Sequence, residues 1–401
     1  MKKTLLPLAA FLALSGAAPT ASAQEARKQP AEPSSPIQLE LGGYMNWYGT
    51  YANQKRSTLV NFAGTDMLVP IGKYNSFDVM GSAEIYFSGS TVLDNGMKIG
   101  AMVQLRAGTD PDTDTNAVDQ TYVTVDSGIG RIIVGNVKNV AYQMAVTSPN
   151  VSTIGVQETD FDRMVIMPAG FNHYDATYAT FDDVSTKVSY ITPTFAGFTA
   201  AVSLLPGNNT KGQDSNNLLF PISGNSKERT FRNGFVGVGL YQGDFGRFNL
   251  DASLSYASYK PNFTFADPLT NTFFQPGSKR IQEYAGGINV GMGNWTVGGS
   301  YRYVDAPLDM REFEGHVWDA GVSYVFGPVE TSVNYLQSRV NNVRQQGKDE
   351  FSMYQVAGKY KLGAGVDTFV NVAYVEYDSA DRARGRSNEG VAVATGMSLA
   401  F

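Results

Sequence analysis

The sequence predicts an all-β fold: a closed transmembrane antiparallel barrel of about 16 strands, with a long third external loop folded into the lumen. Three observations carry that expectation. The final residues, Gly390–Phe401, place Val391, Val393, Thr395, Met397, Leu399 and Phe401 on one strand face and Ala392, Ala394, Gly396, Ser398 and Ala400 on the other. In water this is a sticky sheet edge; in a bilayer it is a spanning strand of about ten residues, apolar toward lipid and small toward a lumen. Period-two alternation recurs from Ile37 onward, and the connections alternate between short turns and long polar loops, as outer-membrane barrels require.

The N-terminal end predicts export. Lys2 and Lys3 precede a short apolar stretch from Leu5 to Leu14, and Ala21-Ser22-Ala23 forms a small-residue cleavage site. The expected organisation is a signal peptide at 1–23, a short polar periplasmic lead-in at 24–36 with Pro30, Pro33 and Pro36, and the barrel at 37–401. Past the leader no run of about 18 apolar residues recurs, which excludes helical spans. The 22 Tyr, 23 Phe and 42 Gly with only 17% charged residues suit strands with a wet inner face and an aromatic-girdled outer one. The absence of cysteine is compatible with a barrel without demanding one. Subtracting the two leader lysines from the 31 basic residues leaves 29 against 37 acidic ones, a net charge near −8. Such a chain has no electrostatic case for binding nucleic acid.

The strands follow in order. Leu39, Leu41, Gly43, Met45 and Trp47 oppose Gln38, Glu40, Gly42, Tyr44 and Asn46. Phe77, Val79, Ala83, Ile85 and Phe87 oppose Asp78, Ser82, Glu84 and Ser88, and Ile99, Ala101, Val103 and Leu105 oppose Lys98, Gln104 and Arg106. The same holds for Phe248–Tyr256 and Trp295–Arg302, and more weakly for Val329–Tyr335 and Tyr354–Leu362. Asp94-Asn95-Gly96, Asp126–Gly130, Gly243–Gly246, Gly291–Asn294, Gly327-Pro328 and Leu362–Gly365 read as tight hairpin turns. Longer polar connections include Asn53–Asn75, Thr109–Asn116, Gly207–Arg229 and Asp305–Phe313. One segment, 136–183, is too long for an ordinary connection. Val140, Tyr142, Met144, Val146, Val151, Ile154, Phe161, Met164, Val165, Ile166, Met167 and Phe171 give it apolar anchors. Its natural resting place is the inside of the barrel wall.

At these residues the chain resembles the general, non-specific porins of Gram-negative outer membranes, in their alphaproteobacterial trimeric type. The resemblance rests on Leu41-Gly-Gly-Tyr-Met-Asn-Trp47, Gly128-Ile-Gly-Arg-Ile-Ile-Val-Gly135, Tyr190-Ile-Thr-Pro-Thr-Phe-Ala-Gly-Phe198 and Phe401. It implies a homotrimer in the cell outer membrane, in contact with lipid and lipopolysaccharide, with Phe401 read by the barrel assembly machinery. It also implies that the inward loop forms the pore constriction, setting carboxylates against a basic wall. The loop offers Glu158, Asp160, Asp162 and Arg163; the wall offers Lys98 and Arg106 by parity, with Arg131 beside a turn. Glu40 and Glu84 share the inward face, so the wall is not purely basic and ion preference stays open. The implied activity is passive diffusion of small hydrophilic solutes and ions, with a transverse field and the aperture setting selectivity.

Plainer roles stand beside these. The loop acids can be a solvated face, Lys98 and Arg106 generic lumen charge, and Arg131 a structural turn residue. His173 and His316, the two histidines, have no partners at ligand spacing, so neither reads as a metal ligand or a catalytic base. No catalytic residue, cofactor or metal is expected. Asp110–Asp114 lacks the glycine and trailing glutamate of a calcium loop. Gly286-Gly287 and Gly298-Gly299 lie in strands and read as sites of close packing between strands or subunits. Competing functions are a solute-specific channel for a sugar, phosphate or dicarboxylate, a membrane-embedded enzyme, a structural or adhesive barrel, and a soluble exported β-protein.

Overall fold

The computed structural model describes residues 36–55, 60–62, 65–67, 76–108, 118–168, 170–207, 231–261, 265–266, 273–274, 279–342, 347–380 and 387–401. In chain order the wall strands are β1 (Gln38–Gln54), β2 (Phe77–Val92), β3 (Lys98–Gly108), β4 (Val118–Ser127), β5 (Gly130–Val137), β6 (Ser185–Ile191), β7 (Phe198–Gly207) and β8 (Phe231–Phe245). They continue as β9 (Phe248–Pro261), β10 (Ile281–Met292), β11 (Trp295–Asp305), β12 (Gly315–Phe326), β13 (Val329–Asn342), β14 (Gly347–Gly363), β15 (Val366–Asp378) and β16 (Asn388–Ala400). Each pairs antiparallel with its sequence neighbours, and β1 meets β16 from Tyr44↔Ala400 to Gln54↔Gly390. Closure leaves the sixteen-stranded wall without a free edge strand. Phe401 extends the seam, exchanging backbone hydrogen bonds with Gly43 in both directions at 3.0 and 3.1 Å.

The two faces divide as the alternation predicts. Leu39, Leu41, Trp47, Phe87, Leu254, Val297 and Phe401 point away from the lumen and are exposed. Apolar exposure on this scale is stable only against lipid. At the short-turn rim the outer face carries paired aromatics in tilted contact, with Trp295 and Tyr324 centroids 4.4 Å apart and Phe198 and Tyr241 4.5 Å apart. A second outer band comprises Tyr335, Tyr354 and Tyr374, with centroids 4.6 and 6.2 Å apart. On β11 the bands are represented by Trp295 and Tyr303. That separation is about 26 Å along the strand, or roughly 20 Å along the membrane normal at a strand tilt of about 40°.

The connection between β5 and β6, residues 138–184, lies inside the barrel. It begins two residues later than the alternation suggests, because Asn136 and Val137 still pair with Thr186 and Ser185. It contains two single-turn helices, α1 (Val140–Gln143) and α2 (Phe161–Met164). Asn139 caps α1, accepting from the Tyr142 amide at 2.8 Å. The buried core lies between this loop and the wall, not between layers of sheet. One cluster packs Ile154, Val156, Phe161, Val165 and Phe171 on Leu336, Phe351, Met353 and Val375. The other packs Val140, Ala141 and Met144 on Val236, Val238, Ala257 and Val304. Of the predicted anchors, Tyr142 and Ile166 are only partly buried, and Met167 is exposed. The connection 305–313 differs from its expected polar character: a 3₁₀ turn at Leu308–Phe313 buries Met310 and Phe313 in the second cluster. Asp110–Asp114 lies outside the described residues.

Candidate functional site

Inward-facing side chains hold the loop by its backbone. Ser203 Oγ accepts from the Val140 amide at 3.2 Å, and Ser253 Oγ from Val146 at 2.9 Å. Asp319 accepts from the Ser148 amide at 3.0 Å and Gln157 Nε2 at 2.7 Å, and Ser338 Oγ from the Tyr174 amide at 2.8 Å. On the far side Gln54 Oε1 accepts from the Ile166 amide at 2.8 Å. These wall groups satisfy the backbone polarity that an irregular buried segment otherwise strands. Gly287 faces inward at a point of closest approach: a Cβ there would stand 1.8 Å from the Val146 carbonyl oxygen. The expected close packing at Gly286-Gly287 is therefore, at Gly287, packing against the inner loop.

Two buried ion pairs brace the loop ends. Lys187 Nζ meets Asp182 Oδ2 at 3.0 Å, with both side chains fully buried. Asp182 also accepts from Asn139 Nδ2 at 2.6 Å and Tyr259 Oη at 3.0 Å. Arg302 meets Glu283 at 2.5 Å and donates to the Ala176 carbonyl at 3.1 Å. Its guanidinium also lies over the Tyr174 and Phe181 rings at 4.6 and 5.1 Å. A planar, delocalised guanidinium that pairs with a carboxylate, donates to a carbonyl and stacks on rings suits Arg to this position.

The loop's described wall contacts lie mainly from β6 round to β1, with one further hydrogen bond from the Lys138 amide to Gln120 of β4 at 3.0 Å. Facing it across the lumen is the arc β2–β4, whose inward residues are largely polar, Met80 being an exception that packs against the loop's cluster. Glu84 accepts from Tyr86 Oη at 2.6 Å, and Gln104 Nε2 donates to Asp119 at 3.0 Å. A register shift after Gln104 makes Asp119 the extra residue of β4, turning it to Arg106, whose Nη2 lies 2.8 Å away. Between loop and arc lies a cavity of about 250 Å³ lined by Arg106, Lys138, Asn139, Tyr142, Glu158 and Asp183. Lys138 Nζ contacts Asp183 at 2.6 Å and stands 4.7 Å from the Tyr142 ring centre. Tyr142 Oη donates to Glu158 at 3.0 Å. Although the Glu158 side chain is open to the cavity, desolvation by the surrounding loop raises its carboxyl above the usual range, against the opposing pull of Lys138. Burial alone would lower the Lys138 ammonium, but the charges of Glu158 and Asp183 outweigh it and the net shift is upward. Glu158 has φ +46°, and its backbone N–H donates a hydrogen bond to the Asp175 carbonyl at 3.0 Å. A non-glycine residue there stores backbone strain, as functional sites often do.

The sequence-predicted residues distribute unevenly. Arg106 and Glu158 line the same cavity. Asp160 faces β1, accepting from Tyr48 Oη at 2.6 Å, and pairs with Arg163 at 3.5 Å. Asp162 turns toward His173 and Asp175. Lys98 and Arg131 both stand at the short-turn end of the lumen, where Lys98 pairs in register with Asp126 and Arg131 forms an ion pair with the same acid. Lys98 is eight residues from Arg106 along β3, a separation of roughly 26 Å, so neither base is brought to the loop. Lys138, Tyr142, Asp183 and Asp119 had not been singled out as site residues. Lys138 follows the last residue of β5 directly, the one available signal; Asp119 depends on a bulge that alternation conceals. His173 had no ligand partner by sequence spacing; the fold supplies Asp162 and Asp175.

Comparison with known proteins agrees with this architecture. The family model for Gram-negative porins matches residues 9–380. A search of curated proteins by sequence finds no match. Among solved structures, the anion-selective porin of Comamonas acidovorans is 14% identical, with 91% of this chain and 100% of that one covered and a TM-score of 0.58. The outer-membrane channel DcaP of Acinetobacter baumannii is 12% identical over 91% and 97% of the two chains, with a TM-score of 0.60. The trimer form of OmpT from Vibrio cholerae is 8% identical over 92% and 100%, with a TM-score of 0.55. At these identities the structures share the barrel, while the family match spans nearly the whole sequence. The chain therefore belongs to the Gram-negative porin family and is an outer-membrane channel.

Proposed function

We propose that the channel passes small hydrophilic solutes and ions by passive diffusion, through a constriction between the inner loop and the β2–β4 arc, with a preference for cations. The observation that carries this reading is the shared cavity lined by Arg106 and Lys138 with Glu158 and Asp183. Arg106 is paired with Asp119 and Lys138 with Asp183, which leaves Glu84 and Glu158 as surplus negative charge. Charge rings and aperture together set selectivity in such pores. Asp160, Asp162 and Arg163 then shape the loop and are not in the aperture, while Lys98 and Arg131 bias the short-turn mouth. The family and fold are those of a channel, and no catalytic role is assigned.

Supporting the remaining assignments, a leader at 1–23 accounts for export, and the outer apolar face accounts for lipid and lipopolysaccharide contact. A trimeric structural neighbour supports a homotrimer, and Phe401 at the seam suits recognition by the assembly machinery. The test is reversal potential in a salt gradient across a planar bilayer. A cation-directed potential is expected. An anion-directed one overturns the charge assignment, and absence of conductance steps overturns diffusion itself.

A further inference from the structure

The group Asp162, His173 and Asp175 lies in the inner loop, away from the cavity between loop and arc. One ligand atom from each falls within 4.8 Å of the others, and each side chain is partly open. Asp162 projects from α2, whereas His173 and Asp175 are two apart on the extended limb that returns along β13 and β14. Spacing of two on extended backbone puts both side chains on one side. The imidazole is fixed by its neighbours, with ring centres of Phe351 at 4.8 Å, Phe171 at 6.0 Å and Tyr377 at 6.2 Å.

A second observation points to a missing polar partner. The Tyr377 side chain is fully buried, and its hydroxyl finds no hydrogen-bond partner among the described residues. The charges of Asp162 and Asp175 both act on that hydroxyl. Asp162 Oδ1 is likewise buried without a hydrogen-bond partner. One oxygen of Asp162 and the Tyr377 hydroxyl are thus both buried without a hydrogen-bond partner among the described residues.

We propose that Asp162, His173 and Asp175 form a binding site for one divalent cation of the zinc class. One imidazole nitrogen with two carboxylate oxygens is a borderline ligand set; calcium and magnesium favour oxygen alone. Ligands about 2.0–2.2 Å from one ion stand roughly 3–4 Å apart, so from separations of up to 4.8 Å closure shortens a ligand–ligand distance by at most about 2 Å. Three protein ligands leave a position for water. Binding ties α2 to the returning limb and makes the loop more rigid. It requires neither the transport reading nor a particular ion preference.

The test uses tag-free, full-length protein folded in detergent, stripped with chelator and titrated with Zn²⁺ by calorimetry. One Zn²⁺ per chain is expected, with no comparable heat from Ca²⁺. Removing a ligand in H173Q, and separately in D175N, is expected to weaken binding by roughly tenfold or more, with β circular dichroism unchanged. His316 is on the outer face, so H316Q keeps wild-type affinity. Absence of Zn²⁺ binding overturns the site, as does unchanged affinity in both H173Q and D175N. Equal binding of Ca²⁺ overturns the zinc-class assignment.

Discussion

Glu158 and Gly287 show how much one position can decide. Glu158 carries surplus negative charge at the cavity, in a left-handed backbone conformation that only a fixed loop maintains. A unit charge about 4 Å from a passing ion is worth about 1 kcal/mol in water, so E158Q should reduce the cation-to-anion permeability ratio by up to roughly fivefold. R106Q should raise the ratio instead, and bilayer reversal potentials report both. The raised Glu158 carboxyl predicts the same loss of cation preference on acidification, with E158Q flattening that dependence. Gly287 has no space for a side chain because the obstacle is backbone, the Val146 carbonyl. G287V should therefore lift that limb at about 1–3 kcal/mol and give larger, noisier conductance steps. Steps identical to wild type would count against the loop's seating. Glu158 and Arg106 were legible as charges, since parity and loop membership pick them out. Lys138 and Asp183 were not, because their pairing depends on the two loop ends meeting.

For the strands and the loop, legibility followed burial. Strands with lipid on one side and water on the other alternate cleanly, as β1 to β3 do. Val329–Tyr335 and Tyr354–Leu362 alternated weakly, yet their buried inward residues, Glu330, Ser332, Asn334, Gln355 and Ala357, are polar or small. Beyond those segments β13 and β14 turn Leu336, Phe351 and Met353 inward, under the loop. These inward apolar residues mark the docking surface, and they lie outside the segments where alternation was read. The loop's anchoring ion pair gives the test at this scale. R302M removes the partner of Glu283, which is fully buried, and a stranded carboxylate costs about 3–5 kcal/mol. Protease cleavage within residues 138–184 should accelerate by roughly a hundredfold or more where opening is fast relative to cutting. R302M/E283L, which removes both charges, should recover most of that protection. Equal sensitivity of single and double variants would show that packing of Arg302 on Tyr174 and Phe181, not charge, holds the limb.

Across the whole molecule, closure was predictable while the content of the lumen was not. The even strand number followed from turn spacing, and β1 with β16 emerged as the seam. The loop's path depends on which inward groups it meets, and those are spread over nearly the entire sequence. Deleting Phe401 removes both backbone bonds to Gly43; folded yield in vesicles should fall several-fold while the channels that do form keep their conductance. A parallel fall in single-channel conductance would instead assign Phe401 to the pore. The loop's anchors carry a further consequence, one of timing. Ile166 accepts from Asn388 across 222 residues, and Asn371 donates to Ser152 across 219. Contacts of such separation form only after the intervening chain is in place. The inner loop is made early yet cannot complete its anchors until the last strand arrives. With that loop as the proposed constriction, the final bore is set only when the last strand is in place.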